Sequence, residues 1–205
     1  MAFEAHPSSV RSYKKVSKRD AQAPSVLILP GWLGSGLGHW QTRWEARHGY
    51  QRVEQHDWQR PLRGDWTARL EDAVLAAPAP VLLAAHSLGC ILTAWWAAHT
   101  RHADRVAGAL LVAPPDIERA DNRQKIPGWA PPARQRLPFA ATVVASSDDP
   151  FGSLETASCL AADWGASFYS LGACGHINAD SGLEDWDEGH ALLLGLRGSQ
   201  PPAAA

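Results

Sequence analysis

Three side chains suited to nucleophilic catalysis each follow a different apolar run of the chain. They are Ser87 after residues 81–85, Asp149 after residues 141–146 and His176 after residues 167–171. A serine hydroxyl is a weak nucleophile near neutral pH, so a base must remove its proton as it attacks. Imidazole, with an ordinary pKa of about 6.5, suits that task, and a carboxylate on its far nitrogen fixes its tautomer. The order serine, acid, histidine therefore predicts attack of a serine on a carbonyl group.

Ser87 stands in the stretch "AHSLG", between an apolar run and a small, apolar segment at residues 90–98. This arrangement predicts a tight turn from a strand into a helix, which lifts the hydroxyl out of the sheet and strains the serine backbone. Such a turn needs small neighbours, and Gly89 is one. Ala85 stands where the usual motif has glycine, a difference of one methyl group that we expect the turn to accommodate. The alternative is a serine that only caps an ordinary helix.

Three aspartates are candidates for the acid. Asp149 is favoured because it precedes Pro150, whose fixed φ angle promotes a turn that would hold the carboxylate in one orientation. Its neighbour Asp148 is expected to point elsewhere. Asp116 stays as an alternative because it follows another predicted strand, from which some related folds take their acid.

His176 is the favoured base among nine histidines. It lies after the last predicted strand, and Gly172 and Gly175 beside it suit an irregular loop. His86 precedes the serine, so its side chain is expected to point to the opposite side of the strand or turn. His39 follows the first strand and is expected to line the site.

An oxyanion hole needs backbone N–H groups aimed at the oxygen on which charge develops. Leu88, at the start of the predicted helix, is expected to supply one, and Trp32 in the glycine-rich loop after the first strand is expected to supply the other. Aromatic walls would favour an apolar acyl or alcohol group. The residues expected to border this pocket are Gly31, His39, Trp40 and Trp129.

Apolar runs alternate with helical segments along the chain. The predicted strands are 26–30, 51–56, 81–85, 106–113, 141–146 and 167–171, and the predicted helices are 65–77, 88–99, 154–164 and 188–196. Such alternation predicts an α/β fold with a mostly parallel sheet of about six strands and helices on both faces. Ligands of such sheets bind beyond the carboxyl ends of the strands, which is where the candidate residues fall. The proline-rich segment 114–138 is too short to form a domain, so little or no cap domain is expected.

The composition and charge of the chain indicate its domain bounds, its cellular location and the kinds of partner to expect. Residues 1–24 are basic and lack a long apolar core, which predicts a flexible extension before a domain at 25–197 and a disordered tail at 198–205. A net charge of −2 favours neither nucleic acid nor membrane as a partner. Three widely spaced cysteines fit no disulfide framework and favour the cytoplasm. A small ester-like molecule is the expected partner, with no metal and no cofactor, and the oligomeric state stays open.

Six stretches together closely resemble the small serine hydrolases of the YdeN / retinoblastoma-binding-protein-9 family. They are "LPGWLGSGLGHWQTRWE", "VEQHDWQRP", "AAHSLGC", "GALLVAPPD", "SSDDPF" and "LGACGHINADSGLEDW". The resemblance implies a compact α/β-hydrolase fold with Ser87 as nucleophile, Asp149 as acid and His176 as base. We therefore expect a carboxylesterase-like enzyme that cleaves a small ester through an acyl-enzyme. Amide or C–C bond hydrolysis by the same triad, or a binding protein on a hydrolase scaffold, are the alternatives.

Overall fold

The computed structural model describes residues 25–198, so the predicted extension 1–24 and all but the first residue of the predicted tail lie outside the described residues. Within this range the strands are β1 (Ser25–Leu29), β2 (Gln51–Arg52), β3 (Val81–His86), β4 (Val106–Val112), β5 (Ala140–Ala145) and β6 (Ser167–Ser170). The helices are α1 (Trp40–His48), α2 (Arg63–Ala76), α3 (Leu88–His99), α4 (Ala120–Lys125), α5 (Leu154–Trp164) and α6 (Asp187–Gly195).

The six strands form one sheet in the order β2-β1-β3-β4-β5-β6, and every neighbouring pair is parallel. At its centre, Leu83 of β3 pairs with Leu27 of β1 on one side and with Ala109 of β4 on the other. The carboxyl ends of all strands therefore lie at one edge, and the predicted parallel α/β architecture is confirmed.

Helices cover both faces of the sheet. Alternate strand residues point to opposite faces, so Leu83 packs in a core with α2, α3 and α5, whereas Leu82 packs in a second core with α1 and α6. Strands buried on both faces read as continuous apolar runs, which is why the central strands were predictable. No cap domain is formed within residues 25–198. None of the helices described there is long and apolar enough to cross a membrane.

Helix α1 was missed by the sequence analysis. Its N-cap is His39, whose side chain accepts a hydrogen bond from the Gln41 N–H, and its C-cap is Gly49 with φ 70°. Histidine is not among the usual N-cap residues, so only the glycine gave a recognisable signal.

Two other elements differ from the prediction. Strand β2 ends at Arg52, four residues earlier than expected, after which the Val53 N–H donates to the Ile28 carbonyl oxygen. The proline-rich segment 114–138 contains the short helix α4, which was not predicted. This helix becomes one wall of the site described below.

Candidate active site

Ser87 occupies the turn between β3 and α3 with φ 53° and ψ −122°, a conformation that costs energy for any residue with a side chain. Its N–H donates to the Val112 carbonyl oxygen of β4 (2.8 Å), and its carbonyl oxygen accepts from the Cys90 N–H (2.9 Å). A side chain at Gly89 would collide with the Leu29 carbonyl oxygen, so glycine is required there. Ala85, in contrast, is accommodated in the buried strand β3.

A chain of hydrogen bonds joins Ser87, His176 and Asp149. The Ser87 Oγ lies 2.9 Å from His176 Nε2, and His176 Nδ1 lies 2.9 Å from both carboxylate oxygens of Asp149. The histidine side chain is 10% exposed and the aspartate side chain 4% exposed. Asp149 Oδ1 also accepts from the Phe151 N–H (2.8 Å), which fixes the carboxylate in the turn at Pro150. With Nδ1–H donating to the carboxylate, Nε2 is free to accept the serine proton.

The other two acidic candidates face backbone groups. Asp148 Oδ1 accepts from the Ser146 hydroxyl and from the Gly175 N–H, each at 2.7 Å, and these hydrogen bonds hold its pKa below the ordinary value. Asp116 Oδ1 accepts from the backbone N–H groups two and three residues later. Asp148 therefore anchors the loop next to His176, and Asp116 closes a turn.

The loop that carries His176 is fixed from behind by two buried side chains. His86 Nε2 donates to the His176 carbonyl oxygen (2.8 Å), and Trp40 Nε1 donates to the Ile177 carbonyl oxygen (2.9 Å). The His86 ring lies 4.8 Å from the His176 ring. The expectation that His86 points away from the site was therefore wrong, because its ring supports the histidine loop.

Two aromatic residues expected at the pocket belong to the core instead. Trp40 is 1% exposed and lies behind the histidine loop, on the side of the sheet covered by α1. Trp129 is fully buried, packs edge-on against Trp66 and donates to the Pro61 carbonyl oxygen. The pocket predictions for Trp40 and Trp129 were wrong, because the sequence did not indicate on which side of the backbone these rings would lie.

Trp32 and Leu88 line the same cavity as Ser87, and their backbone N–H groups are the expected oxyanion donors. Within residues 25–198, neither of them donates a hydrogen bond to another protein group. Leu88 is the first residue of α3, where N–H groups have no partner inside the helix. Gly31 lies against the serine, since a Cβ atom there would come within 2.7 Å of the Ser87 Cβ. These two N–H groups have the character that an oxyanion hole requires.

Gln41 fixes the glycine-rich loop that carries Trp32. Its buried amide nitrogen donates to the carbonyl oxygens of Leu29 (3.1 Å) and Ala84 (2.9 Å), and its Oε1 accepts from the Ser35 hydroxyl (2.6 Å). One side chain therefore joins β1, β3 and the loop. Sequence reasoning missed this residue because α1 was not predicted.

A family model described as "Serine hydrolase" matches residues 26–194. The chain belongs to this serine hydrolase family. No curated protein sequence matches the hydrolase.

Solved structures of YdeN-like proteins share the fold of the hydrolase. A YdeN-like hydrolase from Pectobacterium atrosepticum superimposes with a TM-score of 0.75 at 27% identity, covering 85% of this chain and 91% of that chain. The ydeN gene product of B. subtilis gives 0.69 at 20% identity, covering 85% and 98%. Est1E from Butyrivibrio proteoclasticus, solved with bound ferulic acid, gives 0.64 at 11% identity, covering 84% and 90%. The predicted α/β-hydrolase fold and the family resemblance are confirmed.

Two cavities of the hydrolase meet at Ser87 and His176. The larger, about 220 Å³, is called the apolar cavity because six apolar side chains line it. They are Trp32, Leu33, Leu88, Pro115, Ile126 and Phe151. The second, about 200 Å³, is called the polar cavity and includes Gly34, Gly36, His39 and His86 in its lining. A substrate carbonyl at the serine would thus have one apolar and one polar compartment beside it.

His39 and His86, which line the polar cavity, are uncharged at neutral pH. Burial, reinforced by His176 and Arg52, lowers the pKa of His39 to about 3. Burial, reinforced by His39 and His176, also holds the pKa of His86 well below the ordinary histidine value. His176 therefore has no imidazolium of His39 or His86 beside it at neutral pH. Across residues 25–198, no cluster of histidine, cysteine and acidic side chains could hold a metal ion.

Proposed function

We propose that this hydrolase cleaves small carboxylic esters through an acyl-enzyme, with Ser87 as nucleophile, His176 as general base and Asp149 as the acid. The continuous hydrogen-bond chain from the Ser87 hydroxyl to the Asp149 carboxylate carries this proposal. These three residues are of the types that serine-based acyl transfer uses as nucleophile, base and orienting carboxylate, which supports the proposal.

The reaction proceeds in two halves. Ser87 Oγ attacks the ester carbonyl carbon while its proton passes to His176 Nε2, and the resulting oxyanion accepts hydrogen bonds from the Leu88 and Trp32 N–H groups. His176 then protonates the leaving alcohol, and the acyl group stays on the serine. Water attacks the acyl-enzyme and gives a proton to the same nitrogen. His176 then returns this proton to Ser87 Oγ as the acyl–oxygen bond breaks and the acid is released. Asp149 stabilises the imidazolium in both halves.

Ester substrates are favoured by the compartments around the serine. The apolar cavity offers about 220 Å³ between largely apolar walls, which suits a short acyl or alcohol chain. A small molecule is therefore the proposed partner.

Three free cysteines, Cys90, Cys159 and Cys174, support residence in a reducing compartment such as the cytoplasm.

Labelling and turnover test the proposal together. A fluorophosphonate probe should label the wild-type protein, and p-nitrophenyl esters of short acids should be hydrolysed. Ser87→Ala should abolish both activities. Ser170→Ala, at an exposed position of β6, is the matched control and should leave both unchanged.

The pattern of results separates the alternatives. Labelling of Ser87 without hydrolysis of any ester would favour the same triad acting on an amide or a C–C bond. Absence of both labelling and turnover would favour a binding protein on a hydrolase scaffold. Either result would contradict the proposed esterase activity.

A further inference from the structure

The apolar cavity has one cationic side chain at its wall. Lys125 lines this cavity, whereas none of the described residues around it is an aspartate or a glutamate. Lys125 is therefore a cationic group at the cavity wall that no carboxylate of the lining neutralises. Anionic groups are therefore favoured there over cationic ones.

Lys125 has no acidic partner among the described residues. Its ammonium lies 5.3 Å from the centroid of the Phe151 ring, and none of the ion pairs formed within residues 25–198 includes it. The neighbouring Arg119 differs, because it is paired with Asp121 and also donates to the Pro150 carbonyl oxygen. The Lys125 charge is thus available to a ligand.

Helix α4 holds Lys125 on the side of the cavity. Asn122 is 3% exposed, and its amide nitrogen donates to the carbonyl oxygens of Asp116 (2.8 Å) and Phe151 (2.9 Å). Lys125 follows Asn122 by three residues, so both lie on the same face of the helix. The short helix is therefore fixed to the strand-end loops with its lysine towards the cavity.

The distance from Lys125 to the reacting groups sets the length of a ligand that reaches both. The Phe151 ring centroid lies 5.3 Å from the Lys125 ammonium and 4.5 Å from the centroid of the His176 ring. The ammonium and the imidazole are thus within about 10 Å of one another. Ser87 Oγ lies 2.9 Å from His176 Nε2, so an acyl chain of a few carbon atoms is of the length needed to place an ester carbonyl at Ser87 and a carboxylate towards Lys125.

We propose that the hydrolase prefers esters whose acyl group ends in a carboxylate, with Lys125 binding that carboxylate and the apolar cavity holding the intervening methylene groups. This inference rests on the proposed esterase function. A charge-assisted hydrogen bond at the edge of an apolar cavity is stronger than one in open water, because the walls exclude part of the solvent that would screen it.

A pair of substrates, one ending in a carboxylate and the other in the corresponding neutral methyl ester, tests the inference. They are p-nitrophenyl hydrogen glutarate and its neutral methyl ester, assayed for kcat/KM at pH 7.5. The wild-type protein should prefer the anionic ester. Lys125→Met should lower the ratio of the two kcat/KM values about three- to tenfold, whereas Lys125→Arg should retain most of it. Arg123→Met, at an exposed position of the same helix outside the cavity lining, is the matched control and should leave the ratio unchanged.

The outcomes distinguish this inference from the proposed function. Equal ratios in wild type and Lys125→Met, with hydrolysis still dependent on Ser87, would overturn the carboxylate preference and leave the esterase proposal intact. An equal drop in Lys125→Met and Arg123→Met would also overturn it, since general surface charge would then explain the preference. Hydrolysis of neither glutarate ester above the Ser87→Ala background, with p-nitrophenyl esters of short acids still cleaved, would overturn the inference alone. Loss of hydrolysis of the short-acid esters as well would overturn the esterase function and the inference with it.

Discussion

Replacing Gly31 with alanine should displace the proposed nucleophile. The new Cβ atom would lie 2.7 Å from the Ser87 Cβ, 3.1 Å from the His86 carbonyl oxygen and 3.2 Å from the Ser87 Oγ. Ordinary van der Waals contact begins at 3.4 Å, so the closest pair must separate by about 0.7 Å. Ser87 cannot retreat without cost, because its backbone is hydrogen-bonded to Val112 and to Cys90. Gly31 does not need a positive φ, so alanine introduces no backbone strain of its own.

The expected loss of kcat in Gly31→Ala follows from this displacement of Ser87. The Ser87 Oγ lies 2.9 Å from His176 Nε2, and a shift approaching 1 Å weakens that hydrogen bond and misaligns the attack. Misplacement by about 1 Å costs on the order of 100-fold in rate, so we expect Gly31→Ala to lower kcat for a p-nitrophenyl ester about 10- to 100-fold. Crowding should also lower the free energy of unfolding by roughly 1–3 kcal/mol, measured by urea denaturation.

The control for this prediction lies in the same loop. A Cβ atom at Gly36 would have no other heavy atom within 4 Å, so Gly36→Ala tests the loss of loop flexibility without the contact. Turnover of Gly31→Ala within twofold of wild type would refute the contact argument. Equal losses in both variants would assign the effect to loop flexibility.

Three further variants or conditions test other parts of the structure. Asp149→Asn should reduce kcat for the ester on the order of 10³-fold. The Phe151 N–H would hold the amide oxygen, so the amide nitrogen would face His176 and impose the wrong tautomer on its ring. Asp148→Asn should lower kcat less than tenfold in the same assay, because its amide oxygen can still accept the same hydrogen bonds. Because the pKa of His39 is lowered to about 3, only the unfolded chain takes up this proton as pH falls below about 6.5. The contribution of His39 to the free energy of unfolding should therefore fall by about 1–1.5 kcal/mol from pH 7.5 to 5.5. Urea denaturation of His39→Gln should not show this part of the pH dependence. Burial raises the pKa of the Cys90 thiol well above its ordinary value, whereas Cys159 is exposed. Iodoacetamide should therefore modify Cys159 before Cys90, which peptide mass mapping would detect. Modification of Cys90 first would contradict its burial.

The strands and the three residues of the hydrogen-bond chain were predictable for the same physical reason. Strands covered on both faces are apolar throughout, so β3 and β5 were recognisable along with the residues that follow them. Because parallel strands end at one edge, Ser87, Asp149 and His176 were expected to meet there.

The surroundings of these residues depend on packing that local sequence does not encode. Trp40 and Trp129 are close to the site along the chain, yet the side of the backbone that each ring faces is set by the helices packed against it. His86 was expected to point away, but the returning histidine loop offered its Nε2 a carbonyl partner. Helix α4, only six residues long and set among prolines, gave too short a periodic pattern to be predicted as a helix.

Helix α4 is a separate element from those that carry the proposed reacting groups, so the substrate of the hydrolase can change independently of them. The proposed reacting groups follow the ends of β3, β5 and β6, whereas α4 is tied to the loop after β5 through the Asn122 amide and the Arg119 guanidinium. Replacing residues 120–126 with a segment of different charge or length would then change which esters bind, and hence which acids are released. The three proposed reacting side chains would stay the same.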